Sequence, residues 1–513
     1  MAPNASASSL DATTKDPPTV DVAVTAPDSA DNERHKAEYR TEFLSSFTIE
    51  EEQKIMRKVD LHIVVLVGLI YSIKQIDTNN AALVKVMAIG KPTNILNQLG
   101  MTSDQYAWVQ TAYYIPYVLL ETPTILLFKK MSPRLFQSRI IITWGIILAL
   151  HAAVSTKEAL YALRVLIGIA EAGMFPAIMT FYTCWYRGDE LARPMIWVHS
   201  IDQFSNIIGQ LLAYGMSYLD GKQGLSSWQW VFLLEGVATV IFGIIVYFYH
   251  PDYPRSPRTS KWLSPREQEF VELRLTTNAP RLSDKPFSLQ ETLITLKDPR
   301  LWSFTFMMLC MSTTSYGIAW FLPNIVTNLG FVTVPRNLLL LLPGSFLSMI
   351  LIISIHFIYK RALVPRPLFC LTIVGCELLS FIIFLATQQK AAVYAACILG
   401  SMFSHAWGTS YWPWRSSSLK GTTGTAVAFG ITNSIGQLGG VIGPQIFRSQ
   451  WATSGYKESY GICVGALGGG FLLGLLCWYL TFDLETQVRR VKKARNKAAR
   501  EGRVYVDDEV RAA

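Results

Sequence analysis

The chain has 513 residues, of which 50% are hydrophobic and 16% charged, and it carries a net charge of +9. A soluble protein of this length would form several domains and need far more charge to cover them, so the composition excludes one and points to an integral membrane protein. The basic excess gathers between apolar runs and in the C-terminal tail, as cytosolic loops do, which excludes nucleic acid as a partner.

In chain order, residues 1–50 are polar and rich in Ala, Ser, Thr, Pro and Asp. They read as a disordered cytosolic tail without a signal peptide. Thr48-Ile49-Glu50-Glu51 is a capping box that opens a short charged helix up to Val59. Apolar runs follow at about Leu61 to Ala82, Asp104 to Phe128, Ser138 to Val154, Glu158 to Tyr182, Pro194 to Tyr218 and Trp228 to Tyr249. Each is close to the roughly 20 residues that cross a bilayer, which makes residues 51–250 a six-helix bundle. Residues 251–300 turn to proline and charge, with helix starts at Ser264-Pro265-Arg266-Glu267 and Ser288-Leu289-Gln290-Glu291, and read as a cytosolic linker with short helices. The count then repeats over 301–482, with runs at about Leu301 to Thr327, Leu338 to Tyr359, Pro367 to Thr387, Ala391 to Trp412, Gly424 to Phe447 and Tyr460 to Phe482. Residues 483–513 form a basic tail.

Strongly basic loops, one with Lys129, Lys130, Arg134 and Arg139 and another with Lys360, Arg361 and Arg366, alternate with nearly neutral ones. This places both termini in the cytosol, the plasma membrane being the expected site. Ten or eleven spans with a re-entrant segment is the alternative topology. Gly436, Gly439, Gly440 and Gly443 in the eleventh run, and Gly461, Gly465 and Gly469 in the twelfth, make small-residue faces for helix packing. Six plus six spans around a linker is the layout of a two-halved transporter. The seven cysteines lie in or beside apolar runs with no CxxC pair, so they read as core residues and not as a disulfide frame or metal site.

The run Ala162 to Thr180 holds Arg164 and Glu171, seven residues apart on one helix face with Gly168 between them. Ionised groups avoid lipid, so this face belongs to a bundle interior or an aqueous cavity. GxSxG, HExxH and a Walker lysine motif are all missing from the sequence, which speaks against an enzyme or an ATP-driven pump and calls for no cofactor.

These residues resemble the major facilitator superfamily and, within it, the fungal anion:cation symporters of the allantoate permease type. The resemblance is carried by Arg164-Val-Leu-Ile-Gly168-Ile-Ala-Glu171-Ala-Gly173-Met-Phe175-Pro176, by Tyr114-Ile-Pro116-Tyr117 with Glu121-Thr-Pro123, and by Trp228-Gln-Trp230-x-Phe232-x-x-Glu235-Gly236. Pro251-Asp252-Tyr-Pro254, Phe321-Leu-Pro323 and Gly439-Gly440-x-x-Gly443-Pro444-Gln445-Ile-Phe447 complete a set spanning roughly residues 55 to 485. One departure stands out: the family's Asp-Arg-(Ser/Thr)-Asn is Asp77-Thr78-Asn79-Asn80 here, without the arginine. Lys74, on the same helical face, supplies the cation on this reading.

The resemblance implies twelve transmembrane helices in two bundles that take up a small organic anion, a vitamin-like or ureide carboxylate, with protons, as a monomer. Arg164 and Lys74 are the expected anion ligands, with Tyr71, Tyr113, Trp320 and Trp407 as pocket aromatics. Arg164 can instead belong to a proton-coupled pair or to a structural ion pair. Glu171, Glu121, Asp202, Asp77 and His199 are the candidate proton carriers. Each has a plainer alternative: Asp77 can pair with Lys74, and the two glutamates can bond backbone at the Pro176 and Pro123 kinks. His199 and Asp202 can form a relay, or Asp202 can meet Lys74 or Arg164 across the cavity. His356, Glu377 and His405 stand isolated in apolar runs and read as satisfied core residues. An exporter of a secondary metabolite and a non-transporting sensor are the rival functions.

Overall fold

The computed structural model describes residues 29–128, 131–187, 190, 192–275, 289–331, 335–360, 364–419 and 422–502. Lys129, Lys130, Arg281, Lys285, Arg361, Arg503 and the side chains of His356 and Lys360 lie outside the described residues. Every regular element among the described residues is helical.

The first half holds spans at Val65–Val86, Ser103–Phe128, Pro133–Leu150, Lys157–Glu171 continued by Met174–Thr183, Ala192–Met216 and Ser227–Tyr249. The second holds Pro299–Leu329, Leu342–Lys360, Arg366–Ala386, Lys390–Ala406 continued by Gly408–Ser417, Thr422–Ile446 and Lys457–Arg500. This is an all-α integral membrane fold of twelve helices in two six-helix bundles. Among the described residues, eight helices are long and apolar enough to cross a membrane on length and composition alone. The other four spans, the second, fifth, seventh and tenth, supply polar side chains to the cavity described below. Leu119, Ile241, Phe248, Leu472 and Tyr479 point outward and exposed, as side chains that lipid covers do.

Two elements differ from the sequence reading, and a third, the basic tail with its helical pattern, proves continuous with the twelfth span. Part of the tail expected to be disordered is a helix, Ser29–Ser45. It is too polar to make a core of its own, and it docks on a linker helix, Pro265–Leu273: Arg40 Nε donates to the Leu273 carbonyl at 2.7 Å. Just beyond the helix, Phe47 packs on Phe270 with ring centroids 4.5 Å apart. The fourth span breaks after Glu171 because Gly173 adopts a left-handed φ of 83°, which a side chain disfavours. The twelfth span runs on to Arg500 as one helix of 44 residues.

The capping box at Thr48 forms as read, with Glu51 Oε2 accepting from the Thr48 backbone amide at 2.9 Å. Within the first half, the third span packs on the sixth, the second on the fourth and the first on the fifth; within the second, the seventh packs on the eleventh and twelfth. The halves meet where the second span crosses the eleventh, the fifth the eighth, and the first the seventh. A Cβ on Gly439 would stand 2.5 Å from the Thr313 backbone nitrogen, and one on Gly443 2.6 Å from that of Gly317, so the glycine face of the eleventh span sets its approach to the seventh. The expected face of the twelfth span does not serve this way. Gly461 and Gly465 meet nothing within 4 Å and Gly469 only Cys310 Sγ at 4.0 Å, whereas Gly470 and Gly474 pack on Met311 and Leu371, because that helix turns a neighbouring face to the bundle.

On the face that carries the chain ends, Arg274 of the linker helix bonds Glu190, between the fourth and fifth spans, at 2.5 Å and Glu52 at 3.0 Å. Arg495, on the extension of the twelfth span, bonds the same Glu190 at 3.0 Å. Burial opposes ionisation of Glu190, but Arg274, Arg495 and Arg187 outweigh it and hold the carboxyl down at about 2. The cluster ties both halves, the linker and the segment before the first span together.

Candidate functional site

A cavity lies between the halves. The first span turns Tyr71, Lys74 and Thr78 into it, as residues three and four apart share a helix face. The fifth span adds His199 and Asp202, while Trp320, Trp407 and Asn433 come from the seventh, tenth and eleventh. Among the described residues the charged pair, Lys74 and Asp202, comes from the first half; the second half offers hydroxyls, amides, indoles and His405. Tyr106 stacks on Trp320 at 5.7 Å toward one membrane face, and Phe175 meets Trp412 at 4.9 Å toward the other. Beyond the first pair, Gln445 Nε2 donates to Thr111 Oγ1 at 2.9 Å and Ser449 Oγ to Asp104 Oδ2 at 2.6 Å, closing the halves together.

Lys74 is nearly buried, and its Nζ stands 6.0 Å from the Tyr71 ring centroid. No carboxylate lies within ion-pairing distance of it among the described residues. The anticipated Lys74–Asp77 pair is absent, because Asp77 turns away from the cavity. Its Oδ2 accepts from Trp144 Nε1 at 2.7 Å and Thr239 Oγ1 at 3.1 Å. Asp202 Oδ2 accepts from Gln203 Nε2 at 3.4 Å, and its Oδ1 has no donor. His199 sets its ring edge-on to Tyr71 at 6.2 Å and makes no hydrogen bond with Asp202 among the described residues, so the two share the cavity without forming a relay.

Arg164 and Tyr113, expected in this cavity, line a second, much smaller space inside the first half, together with Asp77, Gln110, Trp144 and Glu171. The cause is Gly168: a Cβ there would run into the Tyr113 carbonyl oxygen and stand 2.8 Å from Pro116 Cγ. The fourth span is thus pressed onto the second, and its Arg164–Glu171 face points into the first half instead of across to the second. Tyr113 donates its hydroxyl to Glu171 Oε2. The Arg164 guanidinium lies 5.3 Å from the Phe232 ring centroid, and its Nε and Nη2 have no hydrogen-bond partner. Thr78 and Gln110 line both spaces and form the wall between them.

Glu121 joins the halves. It accepts from Asn433 Nδ2 and, at 2.6 Å, from Ser434 Oγ, both on the eleventh span, instead of bonding backbone at the Pro123 kink. Those two partners, and Trp144 and Thr239 on Asp77, escaped the sequence reading. Asn433 and Ser434 carried a usable signal, being polar residues one turn ahead of a glycine face in an apolar run. Trp144 and Thr239 carried none.

A two-halved helical bundle with a partly charged cavity at its centre is the layout of a membrane transporter. The sequence pattern of the Major Facilitator Superfamily matches residues 78–444. The chain belongs to that superfamily; it is a multi-pass membrane transporter and not an enzyme. It is similar to an uncharacterized transporter of Schizosaccharomyces pombe, at 28% identity over 83% of this chain and 86% of the other. A provisionally named tartrate transporter of Agrobacterium vitis is 28% identical over 83% of this chain and 93% of its own. Among solved structures, a bacterial homologue of the human lysosomal transporter Spinster, inward-facing and unoccupied, matches 87% of this chain and 98% of its own with a TM-score of 0.53 at 12% identity. That likeness shows the fold alone.

Proposed function

We propose that the protein takes up a small organic anion, such as a vitamin-like or ureide carboxylate, together with protons by alternating access. The observation that carries this is Lys74, a cation without an ion-pair partner in the cavity between the halves. Its ammonium attracts the anion; the aromatics of Tyr71, Trp320 and Trp407 flank the rest of the molecule. The tartrate name of one relative agrees with a carboxylate cargo, and the shared motifs support placement with the fungal anion:cation symporters. Arg164, which lines the smaller space with Asp77 and Glu171, serves as the cation of a proton-coupled group, the second role open to it from the sequence. Glu121 carries a proton as well: protonation weakens an acceptor that receives bonds from the opposite half, so its charge state biases the halves toward or away from contact. The termini lie in the cytosol, the membrane is the plasma membrane, and the working unit is the monomer.

The test is uptake of labelled tartrate and other small carboxylates into proteoliposomes with an imposed proton gradient. Uptake rises with an acid exterior and falls at least about tenfold in Lys74→Gln, the loss of one charge-assisted contact. Carboxylate uptake indifferent to the gradient, or unchanged in a well-inserted Lys74→Gln, rejects the proposal.

A further inference from the structure

Proton-driven anion uptake assigns Lys74 but leaves the other charge of the cavity unexplained. Lys74 and Asp202 enter the same space from the first and fifth spans, which pack on one another, and no salt bridge joins them. Asp202 is only 6% exposed, and its Oδ1 has no hydrogen-bond donor. A buried carboxyl oxygen without a donor and an ammonium without an ion-pair partner are each costly, and no direct bond among the described residues relieves either. One ligand satisfies both: it presents a carboxylate to Lys74 and a nitrogen donor to Asp202. The facing wall, from the second half, is neutral and carries the indoles of Trp320, Trp407 and Trp412, which suit a flat body between the two polar groups.

We propose that the cargo is a small ring-bearing zwitterion, with its carboxylate on Lys74 Nζ and its ammonium or N–H group on Asp202 Oδ1. This rests on the anion-uptake reading and narrows it. Asp202, first counted among the proton carriers, becomes a specificity-determining residue, and the proton is left to Glu121, Asp77 and Glu171. A simple carboxylate fits worse, because its charge sits beside the Asp202 carboxylate with nothing between them.

Three ring compounds of similar size test this on the purified full-length protein in detergent micelles: 4-(aminomethyl)benzoate, benzoate and benzylamine, with affinity read by calorimetry. The zwitterion binds at least about tenfold more tightly than either monofunctional compound. Asp202→Asn brings it down to the affinity of benzoate, and Lys74→Gln abolishes binding of both acids. Equal affinity for benzoate and the zwitterion, a preference that survives Asp202→Asn, or no binding of any of the three overturns the zwitterion proposal. Benzoate binding that requires Lys74 leaves the anion reading standing in that event, whereas acid binding indifferent to Lys74→Gln removes both. Should Asp202→Asn fail to fold, Asp202→Ser carries the same comparison.

Discussion

Glu190 shows how one carboxylate holds several segments. Arg274, at 2.5 Å, is almost fully buried, so removing the glutamate charge leaves a guanidinium with Glu52 as its remaining carboxylate. Glu190→Gln is expected to lower stability by about 1–3 kcal/mol, the range for a buried donor that loses one of its acceptors. The pH dependence follows from the direction of the shift. The folded carboxyl is held down at about 2 against an ordinary 4.5, so its contribution is complete above 4.5 and is lost as the pH falls from there through about 2. Melting temperatures of wild type and variant in detergent therefore differ by a constant amount near neutrality and converge in acid. A gap that widens as the pH falls contradicts the ion-pair account.

Among the elements, the eleventh span does two jobs from adjacent faces. Gly436, Gly439 and Gly443 admit the seventh span of its own half, while Gly440 lies against Tyr114 of the other half. The neighbours of Gly443 are backbone atoms, 2.6 Å and 2.7 Å from where its Cβ would stand, and they cannot rotate away as a side chain can. Gly443→Val is expected to cost about 1–3 kcal/mol or more by overpacking, seen as a lower melting temperature and poorer recovery of folded protein. Gly461→Val, on the face of the twelfth span that meets nothing within 4 Å, leaves both near wild type. Equal losses from the two substitutions sink the distinction. Spacing alone gave both helices the same small-residue stripe; the direction each stripe points is set by the neighbours.

At the scale of the whole molecule, the halves touch on both sides of the cavity, through Asp104–Ser449 and Thr111–Gln445 at one face and through the Glu190 cluster at the other. The alternating access proposed above requires these contacts to break in turn. A disulfide between cysteines placed at Asp104 and Ser449 is expected to abolish uptake, with activity returning on reduction. Undiminished transport by the fully cross-linked protein shows that this face need not open.

The span count and the presence of ionised residues in a protected interior are legible in the amino-acid order, because burying an apolar run in lipid and shielding a charge from it are properties of the segment itself. Lys74, Asp202, Tyr71, Trp320, Trp407 and His199, all named from the sequence, line one cavity. Which cavity a charged face enters is decided by how closely its helix meets the next. Arg164 and Lys74 look equivalent as cations in apolar runs, yet close packing at Gly168 turns Arg164 into the first half and leaves Lys74 facing the central cavity. The partners of Glu121 lie more than 300 residues away in the chain, and no local periodicity encodes an encounter that only the docking of the two halves brings about.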